Sequence, residues 1–229
     1  KPEIICALSE FWGLNGFREI PEILAVLTAA ELPTITPELD GFRANATTAG
    51  LRRFFREMME LPTARKNALI ADLLAWADGN PDAVESRCIR RGKEVFGHDI
   101  GLLSILLLNL VQLQPGEAMY CAAGDLHAYL DGFGVELMAN SDNVLRGGCT
   151  VKHVDVPELM RVLTFDDRPA TILQPDADGV YRTPAPEFQL SVAAVAGEQE
   201  MQAETVEILL CVDGKVDVEG EGGPLPLTP

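Results

Sequence analysis

The stretch that decides the fold covers residues 115–129 and reads PGEAMYCAAGDLHAY. Its opening Pro-Gly pair predicts a turn, a short apolar strand follows, and the Gly-Asp pair predicts a second turn. His127 then stands on the next strand, two residues beyond that second turn. The whole sequence contains three histidines in 229 residues. An isolated histidine is more often a core or turn residue, but this one has the position of a metal ligand at the mouth of a β-barrel.

The chain upstream of this stretch, from about residue 18 to residue 113, lacks strand alternation and predicts helices. One helix has an apolar face at i, i+3, i+4, i+7 and i+8 and an N-cap at Thr47-Thr48. That face consists of Leu51, Phe54, Phe55, Met58 and Met59. A second helix starts at Pro62-Thr63 and ends before Gly79-Asn80-Pro81, and a third covers about residues 83–96.

The most apolar run of the sequence is Ile100 to Leu113. It is shorter than the roughly 20 residues that span a bilayer, so we predict a buried helix and no membrane partner. After Gly116 the pattern changes to short strands divided by Gly, Asp and Asn turns. Near the C-terminus, an Asp-Gly turn at 213–214 predicts a hairpin that pairs residues 206–212 with residues 215–218. Helices followed by many short strands indicate an α+β fold with a sandwich or jelly-roll part.

Charge and cysteine content restrict the possible partners. The formal net charge is −17, which argues against nucleic acid and anionic membranes as partners. The five cysteines form no CxxC pair. An odd number of unpaired cysteines is typical of a reduced, cytoplasmic protein with buried thiols.

The spacing around His127 matches the second cupin motif, G-x5-P-x-G-x2-H-x3-N. Gly116, Gly124 and His127 occupy the motif positions, whereas Ala122 replaces the proline and Asp131 replaces the asparagine. A second segment is more specific. Residues 134–148 read GVELMANSDNVLRGG, and residues 150–156 read TVKHVDV.

These two segments resemble the signature of the type I mannose-6-phosphate isomerases, in which V-E-x-M-A-x-S-D-N-V-x-R precedes T-x-K-H. The opening Lys1-Pro2-Glu3 resembles the end of the family's H-K-P-E motif, and residues 16–18 match its G-F-R. Tyr181 and the residues after it resemble its Y-x-x-P-x-x-E-F-x-L stretch. The resemblance covers essentially the whole chain.

The resemblance implies cupin-type β jelly rolls with a helical insertion domain. Residues 1–17 and 114–165 would form part of the catalytic jelly roll, and residues 18–113 the helical domain. Residues 166–229 would form a second, incomplete C-terminal cupin-like domain. The resemblance also implies one zinc ion per active site, with Glu3 and His127 among its ligands. The family's Gln-x-His pair does not occur in the sequence. We therefore expect that pair upstream of Lys1, the chain to be part of a longer enzyme, and the isolated chain to be inactive.

The family reaction interconverts mannose 6-phosphate and fructose 6-phosphate through a cis-enediol. It needs a proton carrier, an electrophile for the enediolate and cations for the phosphate. The resemblance suggests Arg146, Glu136, Asp142 and Lys1 as catalytic residues, with either Glu136 or Asp142 as the proton carrier. It suggests Lys152 and Tyr129 as residues that contact the hexose 6-phosphate. We expect no nucleic-acid or membrane partner and favour a monomer.

Each of these residues also has a structural interpretation. Glu136 could face solvent, Asp142 could form a turn, Arg146 and Lys152 could be surface cations, and Tyr129 could belong to the core. A non-catalytic cupin-like module that binds a sugar phosphate is the alternative function. A different metal-dependent cupin would not need the segment from Asn140 to Lys152.

Overall fold

The computed structural model describes residues 1–141, 143–203, 205–220 and 222–229. Helices and antiparallel sheets are both present, which confirms the predicted α+β class. The helices are α1 (Ile20–Ala29), α2 (Thr36–Ala44), α3 (Thr48–Met59), α4 (Thr63–Gly79), α5 (Val84–Phe96), α6 (Ser104–Leu107) and α7 (Val156–Val162). The strands are β1 (Glu3–Ala7), β2 (Phe11–Phe17), β3 (Leu108–Leu113), β4 (Ala118–Cys121), β5 (His127–Asp131), β6 (Gly134–Met138), β7 (Ile172–Leu173), β8 (Val180–Tyr181), β9 (Leu190–Ser191), β10 (Val216–Gly220) and β11 (Gly223–Leu227).

Two antiparallel sheets pack against each other and form the jelly-roll part of the molecule. One sheet has the strand order β6-β1-β4-β7, and the other has the order β3-β2-β5. Their inner faces share one cluster of buried side chains, which consists of Ile5, Ala7, Phe11, Val111, Leu113, Met119 and Cys121. Because this cluster draws on both sheets, it holds them face to face. The cupin-type jelly roll interrupted by helices is therefore confirmed.

Three of the helices between β2 and β3 follow their predicted boundaries closely. Helix α3 begins after Thr47, whose hydroxyl accepts a hydrogen bond from the Gly50 N–H, and its five predicted apolar residues are buried. Helix α4 begins at Thr63 and α5 ends at Phe96. The buried side chains of these helices form the largest buried cluster together with residues at the ends of β2 and β3. In the part of the chain that the structure describes, no helix is both long and apolar enough to cross a membrane.

The prediction of a continuous buried helix from Ile100 to Leu113 is wrong. A 3₁₀ turn covers Ile100–Leu103, α6 is one turn long, and Leu108–Leu113 is strand β3. Strand β3 pairs with β2, for example Leu113 with Phe11. A leucine-rich run fits a buried strand as well as a buried helix, and the ladder with β2 decides in favour of the strand. The helical segment between β2 and β3 therefore ends at Leu107.

The C-terminal hairpin is also displaced from its predicted position. Strand β10 pairs with β11, so that Val216 faces Leu227 and Gly220 faces Gly223. The predicted strand at 206–212 has no strand assignment, and its apolar side chains are exposed. An apolar alternating segment predicts a strand only where a partner strand completes the ladder. The second cupin-like domain over residues 166–229 stays a prediction.

Tyr181 attaches this C-terminal region to the first sheet. Its hydroxyl donates a hydrogen bond of 2.7 Å to the carbonyl of Gly116, and the Cys6 thiol donates one of 3.4 Å to the Tyr181 oxygen. The ring packs with Ile4, Cys6 and Ala118 on the outer face of the sheet. Tyr181 is only 2% exposed, so this contact is part of the core.

The side chain of Asn109 donates hydrogen bonds to several main-chain carbonyls where β2 ends. Its amide nitrogen lies 3.0, 3.3, 3.1 and 2.8 Å from the carbonyl oxygens of Asn15, Gly16, Phe17 and Arg168. Two amide protons are thus shared among four converging acceptors. The side chain links the end of β2 to the segment after α7, because these carbonyls belong to both.

We expect Asn109→Ala to destabilise the protein by about 1–3 kcal/mol, because the converging carbonyls lose their common donor. Asn109→Asp should cost at least as much, since an oxygen then replaces the donating nitrogen. Urea unfolding of both variants measures the change. Asn67→Ala, at an exposed position of α4, is the matched control and should change stability little. Wild-type stability in Asn109→Asp would contradict this account.

Candidate functional site

Glu3 and His127 meet between the two sheets. Glu3 begins β1 and is 7% exposed, and His127 begins β5 on the facing sheet. The carboxylate oxygen Oε2 of Glu3 lies 3.1 Å from Nε2 of His127. Residues opposite Glu3 in the ladder are Cys121 and Met138, and opposed side chains of an antiparallel pair share one face. The predicted ligand pair therefore lies on the inner side of the jelly roll.

The main chain orients the His127 ring. Its Nδ1 lies 3.0 Å from the carbonyl oxygen of Asp125, to which an Nδ1–H can donate. Burial lowers the pKa of His127, but the hydrogen bonds to Glu3 and to the Asp125 carbonyl, with the charges of Glu3 and Glu136, outweigh it and raise the pKa. The hydrogen bond from His127 lowers the pKa of Glu3, although burial opposes this shift. Both shifts favour an ion pair between the two side chains in the metal-free protein.

This ion pair should make the stability of the metal-free protein depend on pH. The lowered pKa of Glu3 gives a contribution that is present above its ordinary value of 4.5 and is lost as the pH falls through the folded-state pKa. The raised pKa of His127 gives a contribution that is present below its ordinary value of 6.5 and is lost as the pH rises through the folded-state pKa. Both contributions are complete only between pH 4.5 and 6.5.

We therefore expect Glu3→Gln to cost more stability within that window than at about pH 3 or about pH 9. Urea unfolding in EDTA at the three pH values measures the difference from wild type. Glu60→Gln, at an exposed position, is the control and should give a difference that does not vary with pH. A pH-independent loss in Glu3→Gln would show that the pair is not ionised as described.

The geometry of the pair fits two ligands of one zinc ion. Zinc–oxygen and zinc–nitrogen bonds of about 2.0–2.2 Å in a tetrahedral site place two donor atoms about 3.3 Å apart. The observed separation of 3.1 Å is close to this value. With its proton on Nδ1, facing the Asp125 carbonyl, neutral His127 presents the Nε2 lone pair to a metal. Among the described residues no group of three or more His, Cys, Asp or Glu side chains could hold a metal. The pair alone could supply two donors.

Tyr129 and Glu136 lie beside the pair. Tyr129 follows His127 by two residues on β5, and the two ring centroids are 6.0 Å apart. Glu136 faces Ile5 across the β1–β6 ladder and is exposed. Burial, followed by the Cys121 thiol and the Glu136 carboxylate, raises the pKa of Tyr129. The hydroxyl therefore keeps its proton and can donate it in a hydrogen bond.

The remaining predicted site residues have fewer interactions with the Glu3–His127 pair. Lys1 donates from Nζ to the carbonyl of Ser141 at 2.8 Å, and its charge contributes to the lowered pKa of Glu3. Arg146 and Lys152 are both exposed. Asp142 lies outside the described residues. The structure thus brings Glu3, His127, Tyr129 and Glu136 together, with Lys1 nearby, and places the two other cations on the loop that follows β6.

Two polar residues at this site were not predicted from the sequence. Asn15 is directly opposite His127 in the β2–β5 ladder, and its amide donates to the Tyr120 carbonyl at 2.9 Å. The sequence predicts Asp125 only as a turn residue. Its carbonyl orients the His127 ring, while its carboxylate accepts hydrogen bonds from Thr164 and Arg168. The only sequence feature that could have indicated the role of Asp125 is its position two residues before His127.

Comparison with known proteins identifies the family. The mannose-6-phosphate isomerase of Escherichia coli K12 is 34% identical over an alignment of 235 positions, which covers 100% of this chain and 59% of the relative. The human enzyme is 31% identical over 243 residues, covering 94% of this chain and 57% of the relative. The chain belongs to the mannose-6-phosphate isomerase family. It spans about 59% of the length of the bacterial relative. No protein-family model matches it.

Solved structures agree with this assignment. The apo mannose 6-phosphate isomerase of Salmonella typhimurium superposes with a TM-score of 0.91 at 33% identity, over all of this chain and 60% of that one. A structure of the Salmonella enzyme bound to its substrate fructose 6-phosphate and a zinc atom gives a TM-score of 0.90 at the same identity, over all of this chain and 59% of that one. The mannose-6-phosphate isomerase fold thus extends over the full chain.

Proposed function

We propose that the protein containing this chain is a zinc-dependent aldose–ketose isomerase that interconverts mannose 6-phosphate and fructose 6-phosphate through a cis-enediol. The observation that carries the proposal is the Glu3–His127 pair, with its donor atoms 3.1 Å apart inside a jelly roll. Two kinds of relative support it: enzymes named mannose-6-phosphate isomerase, and a neighbour solved with fructose 6-phosphate and zinc.

Glu3 and His127 would hold the zinc ion, and a Gln-x-His pair upstream of Lys1 would supply the other protein ligands. A bound zinc ion acts as a Lewis acid that stabilises negative charge developing on sugar oxygens. The Asp125 carbonyl would hold the proton of His127 on Nδ1, so that the Nε2 lone pair could bind the metal.

The other side chains suit proton transfer and charge stabilisation. Glu136 or Asp142 would carry the proton between C1 and C2. The Tyr129 hydroxyl, whose pKa is raised, would donate a hydrogen bond to a sugar oxygen, and it lies on the same strand as His127. The ammonium of Lys1, close to the Glu3 carboxylate, would stabilise a nearby oxyanion.

Arg146 and Lys152 would bind the anionic parts of the substrate. Both are exposed cations in a chain of net charge −17. A planar guanidinium can bind phosphate or enediolate oxygens in a bidentate manner. An anionic sugar needs such a local positive site within an acidic protein. Five free cysteines suit a cytoplasmic enzyme, and a monomer remains the expected state.

The test is a coupled assay of fructose 6-phosphate formation from mannose 6-phosphate, on full-length protein. The proposal expects activity that EDTA removes and zinc restores. Arg146→Ala should lower kcat/KM by about 10²–10³-fold, the range seen when one electrostatic stabiliser is removed. Arg91→Ala, at an exposed position of α5, is the matched control and should leave kcat/KM unchanged. A folded, zinc-loaded protein without turnover that still binds hexose 6-phosphate would favour the non-catalytic module.

A further inference from the structure

The loop that carries Arg146 is held at two points. This arginine loop, residues 145–149, starts at Leu145, which packs against the largest buried cluster. A Cβ atom added to Gly147 would lie 2.5 Å from Cδ1 of Leu126, the residue before His127. The residues on either side of Arg146 are therefore both packed: Leu145 against the main buried cluster, and Gly147 against Leu126, next to the start of β5.

The second attachment comes from the helical region. Oδ1 of Asp99 accepts hydrogen bonds from the Gly101 N–H at 2.7 Å and from the Cys149 N–H at 2.8 Å. The first bond caps the 3₁₀ turn at Ile100–Leu103. The second joins residues that are 50 positions apart in the sequence. One carboxylate oxygen thus fixes the turn and the arginine loop at the same time.

Two glycines allow this contact. A Cβ atom on Gly101 would lie 2.5 Å from the Cys149 nitrogen, and one on Gly148 would lie 2.6 Å from the Gly101 Cα. Gly148 also has a φ of +122°, which side-chain-bearing residues rarely adopt. The two backbones touch directly, so the loop cannot shift toward the turn and has little freedom to move away while the Asp99 bond is made.

We propose that Asp99 is a positioning residue that clamps the arginine loop to the helical region and so fixes where Arg146 stands relative to the Glu3–His127 pair. The role rests on the proposed isomerase function. It also gives the helical region a part in the reaction, since Asp99 lies just before the turn that leads into α6. A guanidinium that is misplaced by about 1 Å can lose roughly 10²-fold in rate.

The test compares Asp99→Ala, Asp99→Asn and Gly148→Ala in the full-length protein with two matched controls. Asp99→Asn keeps an acceptor oxygen and should retain both bonds. Asp82→Ala removes an exposed acid from the same region, and Gly79→Ala adds a Cβ where nothing lies within 4 Å. We expect Asp99→Ala and Gly148→Ala to lower kcat by about 10–100-fold with KM changed little. Zinc affinity and all kinetic constants should stay at wild-type values in Asp99→Asn and both controls.

Hydrogen exchange of the Cys149 amide provides a readout that does not depend on activity. Exchange should accelerate at least about tenfold in Asp99→Ala and stay slow in Asp99→Asn. Faster exchange with unchanged kcat would overturn the positioning role, as would slow exchange in Asp99→Ala. Equal losses of zinc affinity, thermal stability and kcat would show a general structural role instead. If Asp99→Ala does not fold, Gly148→Ala decides by the same criteria. If the wild-type protein protects the Cys149 amide but has no isomerase activity, the proposed function is wrong, and so is the positioning role. The Asp99 contact with the arginine loop would still be established.

Discussion

His127→Ala is expected to lower the zinc affinity of the full-length protein by at least about 100-fold and to remove the proposed isomerase activity. Loss of a residue that only orients a metal ligand typically costs about 10–100-fold in affinity or activity, so loss of a ligand should cost at least as much. The variant also leaves the Glu3 carboxylate, which is 7% exposed, without its partner at 3.1 Å.

Competition with a chromophoric chelator measures zinc affinity, and the coupled assay measures turnover. His98→Ala is the matched control, because His98 is exposed beyond the end of α5. It should keep wild-type zinc affinity and kcat. If His127→Ala binds zinc within about twofold of wild type, the ligand assignment is wrong, whatever happens to the activity. Normal zinc affinity with no turnover would move the role of His127 from metal binding to catalysis.

Phe17→Ala is expected to destabilise the protein by about 3–5 kcal/mol, which is a large part of the total stability of a typical domain. Phe17 is 1% exposed and lies where β2 ends and the helical region begins. Its ring stacks on Phe165 with centroids 5.0 Å apart and meets Phe55 edge-on at 5.5 Å. Truncation leaves a cavity at the point where strand, helix α3 and the segment after α7 meet.

Urea and thermal unfolding of the full-length protein measure this loss. Phe96→Ala is the control, because that ring is 42% exposed at the end of α5, and it should cost less than about 1 kcal/mol. A loss below about 1 kcal/mol in Phe17→Ala would mean that the surrounding rings close the cavity. The side chains between the jelly roll and the helices would then rearrange more easily than their packing indicates.

Local sequence signals predicted the helices well. The apolar face of α3 and its Thr47 cap depend on residues within one or two turns, so the pattern was sufficient. The same reasoning failed at Leu108–Leu113. There the choice between helix and strand depends on hydrogen bonds to β2, about 95 residues earlier in the chain. Segment 206–212 shows the opposite error, in which a strand was predicted and none is found. Its apolar pattern predicted a strand, but these exposed residues pair with no other strand in the described part of the structure.

Most of the candidate site was predicted through family resemblance, and only His127 was also indicated by its position two residues beyond a turn. Glu3 and His127 were named from motifs, and the structure brings their side chains to 3.1 Å. Asn15, Asp99 and Asp125 were not identified, because each acts through a bond between a side chain and a distant main chain, or through its own carbonyl. Such bonds leave no spacing rule in a single sequence. They follow only from the three-dimensional path of the backbone.

The central position of β1 in its sheet has a consequence for how the protein is made. Glu3 is 124 residues away from His127, and β1 lies between two strands from beyond residue 117. Contacts this distant in sequence form slowly, whereas helices with local contacts form early. During synthesis, β1 leaves the ribosome long before either neighbour exists, and the helical region can fold while β1 waits unpaired. We therefore expect assembly of the ligand pair to be a late event in biogenesis, completed only after β4, β5 and β6 have emerged.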